Sequence, residues 1–97
     1  MENSDIAIKM TEALVKAGGT DKSVKFDFGD DGQVFASGTE ATTENNEADC
    51  TISVSKEDFM SLAEGNLDPM MAFMSGKLKV AGDMSVAMGL QTIFSNM

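Results

Sequence analysis

The stretch DPMMAFMSGKLKVAGDMSVAMGLQTIFS, residues 68–95, contains in succession the signals for a helix, a strand and a second helix. Asp68 followed by Pro69 is typical of a helix start, because the carboxylate accepts hydrogen bonds from the first amides. Proline is tolerated at the first helical position, where no N–H is needed. We therefore expect a short helix over residues 70–75, closed by Gly76.

The second half of this stretch predicts a strand over residues 77–80, where apolar and polar residues alternate. Gly82 and Asp83 turn the chain into a final helix over residues 84–95. Between residues 84 and 94 this helix has no charged residue. A helix that is apolar on nearly all sides is normally buried or lipid-facing. We expect its uncovered face to contact a bound ligand, a partner subunit or another protein.

Upstream of this stretch, a first helix is predicted to begin at a cap formed by Ser4 or Asp5 and to end at Gly18-Gly19. Four segments with a period of two then predict strands, separated by Gly-, Asp- and Asn-rich turns. A further helix follows Ser55. The predicted first helix covers residues 5–17, the strands cover 24–28, 33–37, 39–43 and 50–54, and the further helix covers 56–64.

The order of these elements is helix, strands, two helices, strand and helix. Strands grouped first and helices later favour an α+β fold with an antiparallel or mixed sheet and helices on one face. We interpret the first strands as a meander of three or four antiparallel strands. The 97 residues predict a single domain, residues 1–97.

The composition argues against several functions. The chain has no His, and its one cysteine, Cys50, is most simply a small buried hydrophobe. Catalysis near neutral pH and zinc sites often use His. The sequence contains no recognisable pairing of a nucleophile with a general base, and no glycine-rich loop of the phosphate-binding type. We therefore expect no enzyme activity, no metal and no cofactor.

Charge and hydropathy limit the partners further. The net charge of −9 argues against nucleic acid. Residues 1–68 carry 5 Lys against 15 Asp and Glu, whereas residues 69–97 carry two Lys against one Asp. No run of about 18 apolar residues predicts a membrane span, so we expect no stable membrane insertion. The acidic start does not resemble a signal peptide, and we expect a cytoplasmic protein.

Methionine is unusually frequent, and seven of the nine residues lie at or beyond Met60. Its unbranched, polarisable side chain adapts to irregular or changing shapes. Such a lining suits a site that accepts apolar ligands of varied shape. Each methionine taken alone is better explained as core filling, and it is the cluster that favours a ligand lining.

Short motifs from Asp49 to Gln91 cover about half of the chain. They are residues 49–52, 58–59, 65–69, 72–80, 82–84, 87–88 and 90–91. On these motifs the chain resembles the sterol carrier protein type 2 family of small intracellular lipid-binding domains. The most specific run is residues 76–79, which joins a short helix, the last strand and the final helix in that family's order.

The resemblance implies a five-stranded, mostly antiparallel sheet with helices on one face, enclosing a hydrophobic tunnel for sterols, fatty acids, phospholipids or acyl-CoA. The region before the first strand is short, and no peroxisomal signal ends the chain, so a prokaryotic protein and acyl ligands are favoured. Gln91 is the one polar side chain on the face of the final helix expected to border the tunnel, and it either orients the polar end of a ligand or is simply exposed near the end of the chain. The predicted ligand-binding residues are Met84, Met88, Gln91, Phe73, Met74, Phe35, Leu14 and Phe94.

Two functions follow as hypotheses. The first is a non-catalytic carrier that buries a lipid or fatty acyl ligand. The alternative is a dimerisation or protein-interaction module, in which the apolar final helix contacts a second subunit or a partner enzyme.

Overall fold

The computed structural model describes residues 2–95, apart from the side chains of residues 84, 87, 88, 90, 91 and 95. Four α-helices and five strands follow one another in the predicted order, with a short 3-10 helix (Gly29–Asp31) in one turn. The helices are α1 (Asn3–Ala17), α2 (Lys56–Ala63), α3 (Pro69–Met74) and α4 (Met84–Ser95). The strands are β1 (Thr20–Asp27), β2 (Gln33–Gly38), β3 (Glu40–Thr42), β4 (Cys50–Val54) and β5 (Leu78–Gly82).

The five strands form one sheet in the order β3-β2-β1-β4-β5. All neighbouring pairs are antiparallel except β1 and β4, which run parallel with Val24 opposite Cys50 and Phe26 opposite Ile52. The predicted meander is therefore correct for β1, β2 and β3 and wrong for β4. The fold class, α+β with a mostly antiparallel sheet, is confirmed.

The departure from a meander comes from the connection between β3 and β4. Its seven residues, 43–49, are longer than an ordinary hairpin loop. Seven residues reach at most roughly 25 Å, which suffices to cross two strands. The Lys25 ammonium donates to Asn45 Oδ1 at 2.8 Å, and Gln33 Nε2 donates to the Thr43 carbonyl at 2.8 Å. These bonds hold the connection against the face of the sheet that carries no helix.

The opposite face of the sheet carries all four helices and the core. α1 contacts β2 and β3, α4 lies beside α1 on β1 and β4, α2 borders α4, and α3 contacts the edge strand β5. The alternation of buried residues along the strands turns their apolar side chains toward this helical layer. The buried strand residues are Val24, Phe26, Phe28, Val34, Ala36, Cys50, Ile52, Val54 and Leu78.

Local signals set most helix ends as expected. Ser55 Oγ accepts a hydrogen bond from the Asp58 amide at 3.0 Å, and Asp68 Oδ1 accepts one from the Met70 amide at 2.8 Å. The predicted start of α1 at Ser4 or Asp5 is wrong. Glu2 caps it in a reciprocal arrangement with Asp5, and α1 begins at Asn3.

Candidate functional site

A groove runs between the start of β1 and the side of α4. Its volume is about 300 Å³, and it is lined by Thr20, Asp21, Lys22, Ser85, Val86, Gly89 and Ile93. The three α4 residues Val86, Gly89 and Ile93 lie three and four positions apart, so they share one face of the helix. Val86 and Ile93 are buried, whereas a Cβ at Gly89 would meet no atom of the described chain within 4 Å. The groove therefore has apolar walls, a gap at Gly89 and a polar rim.

The start of α4 is fixed where three strands meet. The Asp83 amide donates to the Asp49 carbonyl at 2.9 Å, which ties α4 to the beginning of β4. Asp49 Oδ2 in turn accepts from the amide of Ser23 on β1 at 3.0 Å. Gly82 has a φ of 99°, and a Cβ there would overlap the Asp49 carbonyl oxygen. Only glycine fits this close approach without a backbone shift.

Asp83 also organises the rim of the groove. Its Oδ1 accepts from the Ser85 amide at 2.9 Å, as an N-cap does, and its Oδ2 accepts from the Lys22 ammonium. Hydrogen bonds from Lys22 and Ser85 hold the pKa of Asp83 well below its ordinary value. The hydrogen bond and the charge of Asp83 raise the pKa of Lys22. The rim therefore carries a paired, ionised Lys22 that is half exposed.

Four phenylalanine rings fill the layer between α4 and the sheet. The Phe94 ring centroid lies 6.0 Å from that of Phe26 and 5.5 Å from that of Phe59. Phe59 also contacts Phe26 at 5.1 Å and Phe28 at 5.2 Å. These tilted and edge-on distances are those of packed aromatic pairs.

Another cavity of about 380 Å³ lies at the opposite end of the sheet. It is shallow, with Phe28 and Val54 at its apolar side and Lys77 and Lys79 among its polar residues. It is also lined by Asp27, Gly29, Ser53, Ser55 and Gly76. Its more open shape makes it a poorer site for an acyl chain than the groove on α4.

The structure spreads the predicted ligand-binding residues over several surroundings. Leu14 and Phe94 are buried in the helical layer, and neither is among the residues that line the groove. Phe35 alternates with the buried Val34 and Ala36, so it is half-buried on the face without helices. Ligand contact by these residues stays a prediction.

The remaining predicted residues lie in α3 and α4. Phe73 and Met74 are on the exposed side of α3, because Ala72 is the α3 residue that packs into the core. The side chains of Met84, Met88 and Gln91 lie outside the described residues. The expectation that these five residues contact a ligand is therefore untested.

Sequence reasoning missed the residues that form the groove. Val86 and Ile93 belong to the helix that the sequence predicts to be apolar on nearly all sides, but neither is among the predicted ligand-binding residues, and neither are Lys22 and Ser85. The feature of the sequence that could have indicated the groove is Gly89. An isolated glycine inside a strongly apolar helix costs about 1 kcal/mol relative to alanine and so indicates a packing or functional reason.

Two further observations concern other kinds of site. Among residues 2–95, apart from the undescribed side chains, no group of three or more His, Cys, Asp or Glu could hold a metal ion. Within the same part of the chain, no helix is long and apolar enough to cross a membrane.

The model of the SCP-2 sterol transfer family matches residues 5–95. The chain belongs to this family. This SCP-2 chain is 48% identical over 46 residues to human sterol carrier protein 2, a match that covers 47% of the chain and 8% of the human protein. It thus spans only a small part of the length of the curated relatives it matches.

Solved structures of the family share the fold. Sterol carrier protein 2 from Yarrowia lipolytica, in its apo form, has a TM-score of 0.65 at 25% identity over 95% of this chain and 78% of its own. SCP-2 from Aedes aegypti, in complex with palmitate, has a TM-score of 0.79 at 12% identity over 100% of this chain and 97% of its own. The second likeness concerns the fold alone.

Proposed function

We propose that this SCP-2 chain is a non-catalytic lipid carrier, and that the groove between β1 and α4 receives a fatty acyl chain. One observation carries the proposal: apolar walls at Val86 and Ile93 flank an unfilled gap at Gly89, beside a polar rim that holds Lys22. An amphiphile with an apolar chain and a polar head matches this arrangement. Palmitate in the Aedes aegypti relative is a molecule of this class.

Burial of methylene groups would supply the affinity. Each methylene removed from water contributes about 0.8 kcal/mol. The groove volume of about 300 Å³ lies at the lower end of the range for ligand sites, so the groove as it stands holds part of a long chain. The rest of the chain would pass between α4 and the sheet, where the Phe94 ring must rotate or shift to admit it.

The rim would orient the ligand. Lys22 is already ionised and paired with Asp83, and half of its side chain remains exposed. A carboxylate or phosphate head group at the rim would share the Lys22 ammonium with Asp83. The chain end would then lie toward Ile93, deeper along the same face of α4.

Binding of palmitate to delipidated protein tests the proposal. Calorimetry and native mass spectrometry should both detect one acyl chain, with a dissociation constant on the order of 1 μM or below. Extraction of the purified protein with organic solvent, followed by mass spectrometry, should identify the class of lipid it carries. Absence of any acyl ligand in all three measurements would reject the carrier function.

A further inference from the structure

Three of the six residues of α3 are methionines with exposed side chains. The exposed fractions are 62% for Met70, 61% for Met71 and 77% for Met74. Met10 on α1 is fully buried in the core, and Met60 is partly buried against it. The methionine side chains that the structure describes therefore divide into an exposed set, the α3 methionines, and two protected residues.

The α3 methionines lie on the outer side of a helix that is anchored through its inner side. At 3.6 residues per turn, they lie within an arc of about 100°. Ala72 points away from this arc and is fully buried, and its carbonyl accepts a hydrogen bond from the Lys77 amide at 2.9 Å. α3 also contacts β5. A chemical change at the three sulfur atoms therefore leaves the core contacts of α3 in place.

The thioether of methionine reacts with hydroperoxides, and solvent access sets how fast it reacts. The sulfur lone pair attacks one peroxide oxygen, and an S–O bond forms as the O–O bond breaks. The departing hydroxide takes the proton of the transferred oxygen and leaves as water. The sulfur is oxidised by two electrons to a sulfoxide, and the peroxide is reduced. A buried methionine reacts only after local opening of the fold, so Met10 is protected.

Cysteine is another side chain that hydroperoxides oxidise, and in this chain it is a poor competitor. Cys50 is the one cysteine of the chain, and it is fully buried in β4. Burial raises the pKa of its thiol, which keeps the thiol protonated at neutral pH. The thiolate, rather than the thiol, is the reactive form. We therefore expect a hydroperoxide to react at the α3 methionines before it reacts at Cys50.

We propose that α3 is a reversible oxidation site, at which the α3 methionines consume up to three equivalents of hydroperoxide and become sulfoxides. Each sulfoxide is polar, so oxidation turns the apolar outer side of α3 into a polar one. Methionine sulfoxide reductases reverse the reaction: two thiols form a disulfide, and the sulfoxide oxygen leaves as water. The exposed sulfur atoms are accessible to such an enzyme. None of them lines the groove on α4, so the oxidation site is separate from the groove.

Hydrogen peroxide treatment of the full chain, followed by peptide mass spectrometry, tests the site. Cleavage after lysine releases residues 57–77, with the α3 methionines, and residues 10–16, with Met10. Sulfoxide should form at the α3 methionines at least about tenfold faster than at Met10, because Met10 reacts only when the core opens. Incubation with methionine sulfoxide reductases for both epimers and a dithiol should then remove the added oxygen from the α3 methionines.

Two sets of variants separate the chemistry of the sulfur atoms from the polarity of the helix surface. Met70→Leu/Met71→Leu/Met74→Leu keeps the apolar side and should lower the hydrogen peroxide consumed in the fast phase by three equivalents. Met10→Leu is the matched control, since leucine has a similar volume, and it should leave the fast phase unchanged. Met70→Gln/Met71→Gln/Met74→Gln mimics the polar oxidised state and should melt within about 4 °C of the unmodified protein.

Three results would overturn the proposal. The first is sulfoxide at Met10, or oxidation of Cys50, as early as at the α3 methionines. The second is a sulfoxide on α3 that the reductases leave in place. The third is a much lower melting temperature of the triple Gln variant, since the methionines would then belong to the core packing. None of these measurements uses a lipid ligand, so a failure here is distinct from a failure of the carrier function.

Discussion

Filling the gap beside Gly89 should weaken acyl binding without damaging the fold. Gly89 lies in a helix, faces the groove and has no described neighbour within 4 Å of the Cβ position. Gly89→Ala should therefore stabilise the protein by about 1 kcal/mol through helix propensity alone. For a domain of this size, that raises the melting temperature by about 4–8 °C.

Gly89→Leu adds three carbon atoms beyond alanine, and these would occupy the space of about three ligand methylenes. At about 0.8 kcal/mol each, the loss is about 2.4 kcal/mol, or roughly 60-fold in the dissociation constant. Calorimetric titration of palmitate into the delipidated Ala and Leu variants measures the difference. Equal affinities in the two variants, both with raised melting temperatures, would refute the placement of the ligand in this groove.

Three further substitutions test the surroundings of the groove. Phe94→Ala should lower the free energy of unfolding by about 3–5 kcal/mol in denaturant titrations, because it leaves a cavity in the aromatic cluster. Gly82→Ala should lower it by at least about 2 kcal/mol, since the side chain meets the Asp49 carbonyl at a positive φ. Asp83→Asn should lower the melting temperature at neutral pH, because it removes the ion pair with Lys22. The difference in melting temperature between the variant and the unmodified protein should disappear in acid.

The acid limit for Asp83→Asn follows from the pKa of Asp83, which folding lowers. A group with a lowered pKa stabilises the fold above its unfolded value, about 3.9, and loses that contribution as the pH falls through the folded value. Asparagine keeps the capping function and removes the charge that pairs with Lys22. A melting difference that persists unchanged well below pH 3.9 would exclude the ion pair as its cause.

For Phe94→Ala and Gly82→Ala, an unchanged free energy of unfolding would contradict the described packing. An unfolding free energy within about 1 kcal/mol of the unmodified protein after Phe94→Ala would mean that the ring is not packed in the core. An unaffected Gly82→Ala variant would mean that β5 and the start of β4 do not approach as closely as described.

Much of the fold could be predicted because local signals agree with the tertiary structure. Asp68-Pro69 and Ser55 begin helices where expected, and the alternation around Val24 and Phe26 identifies the face that is buried. The parallel pairing of β1 with β4 could not be predicted from local sequence signals. It depends on where residues 43–49 cross the sheet, and local periodicity contains no information about that path.

The site was less predictable than the fold. The lack of charged residues in α4 indicates that the helix needs a covering on most sides. It does not indicate which side of the helix lines the groove. Val86 and Ile93 are separated from the groove residues of β1 by 64 to 73 positions in the sequence, so only the folded chain brings them beside Lys22. Phe73 and Met74 show that an apolar residue in a predicted helix is not always buried. Their apolar side chains suggested an interior wall, and the short α3 exposes them.

The central claim, that an acyl chain lies between α4 and β1, is tested most directly by isotope-edited NMR of the protein with ¹³C-labelled palmitate. The account predicts that the acyl chain contacts the methyl groups of Val86 and Ile93, and that the Phe94 ring signals shift on binding. Contacts confined to Phe28 and Val54 at the other end of the sheet, or no saturable binding, would contradict it.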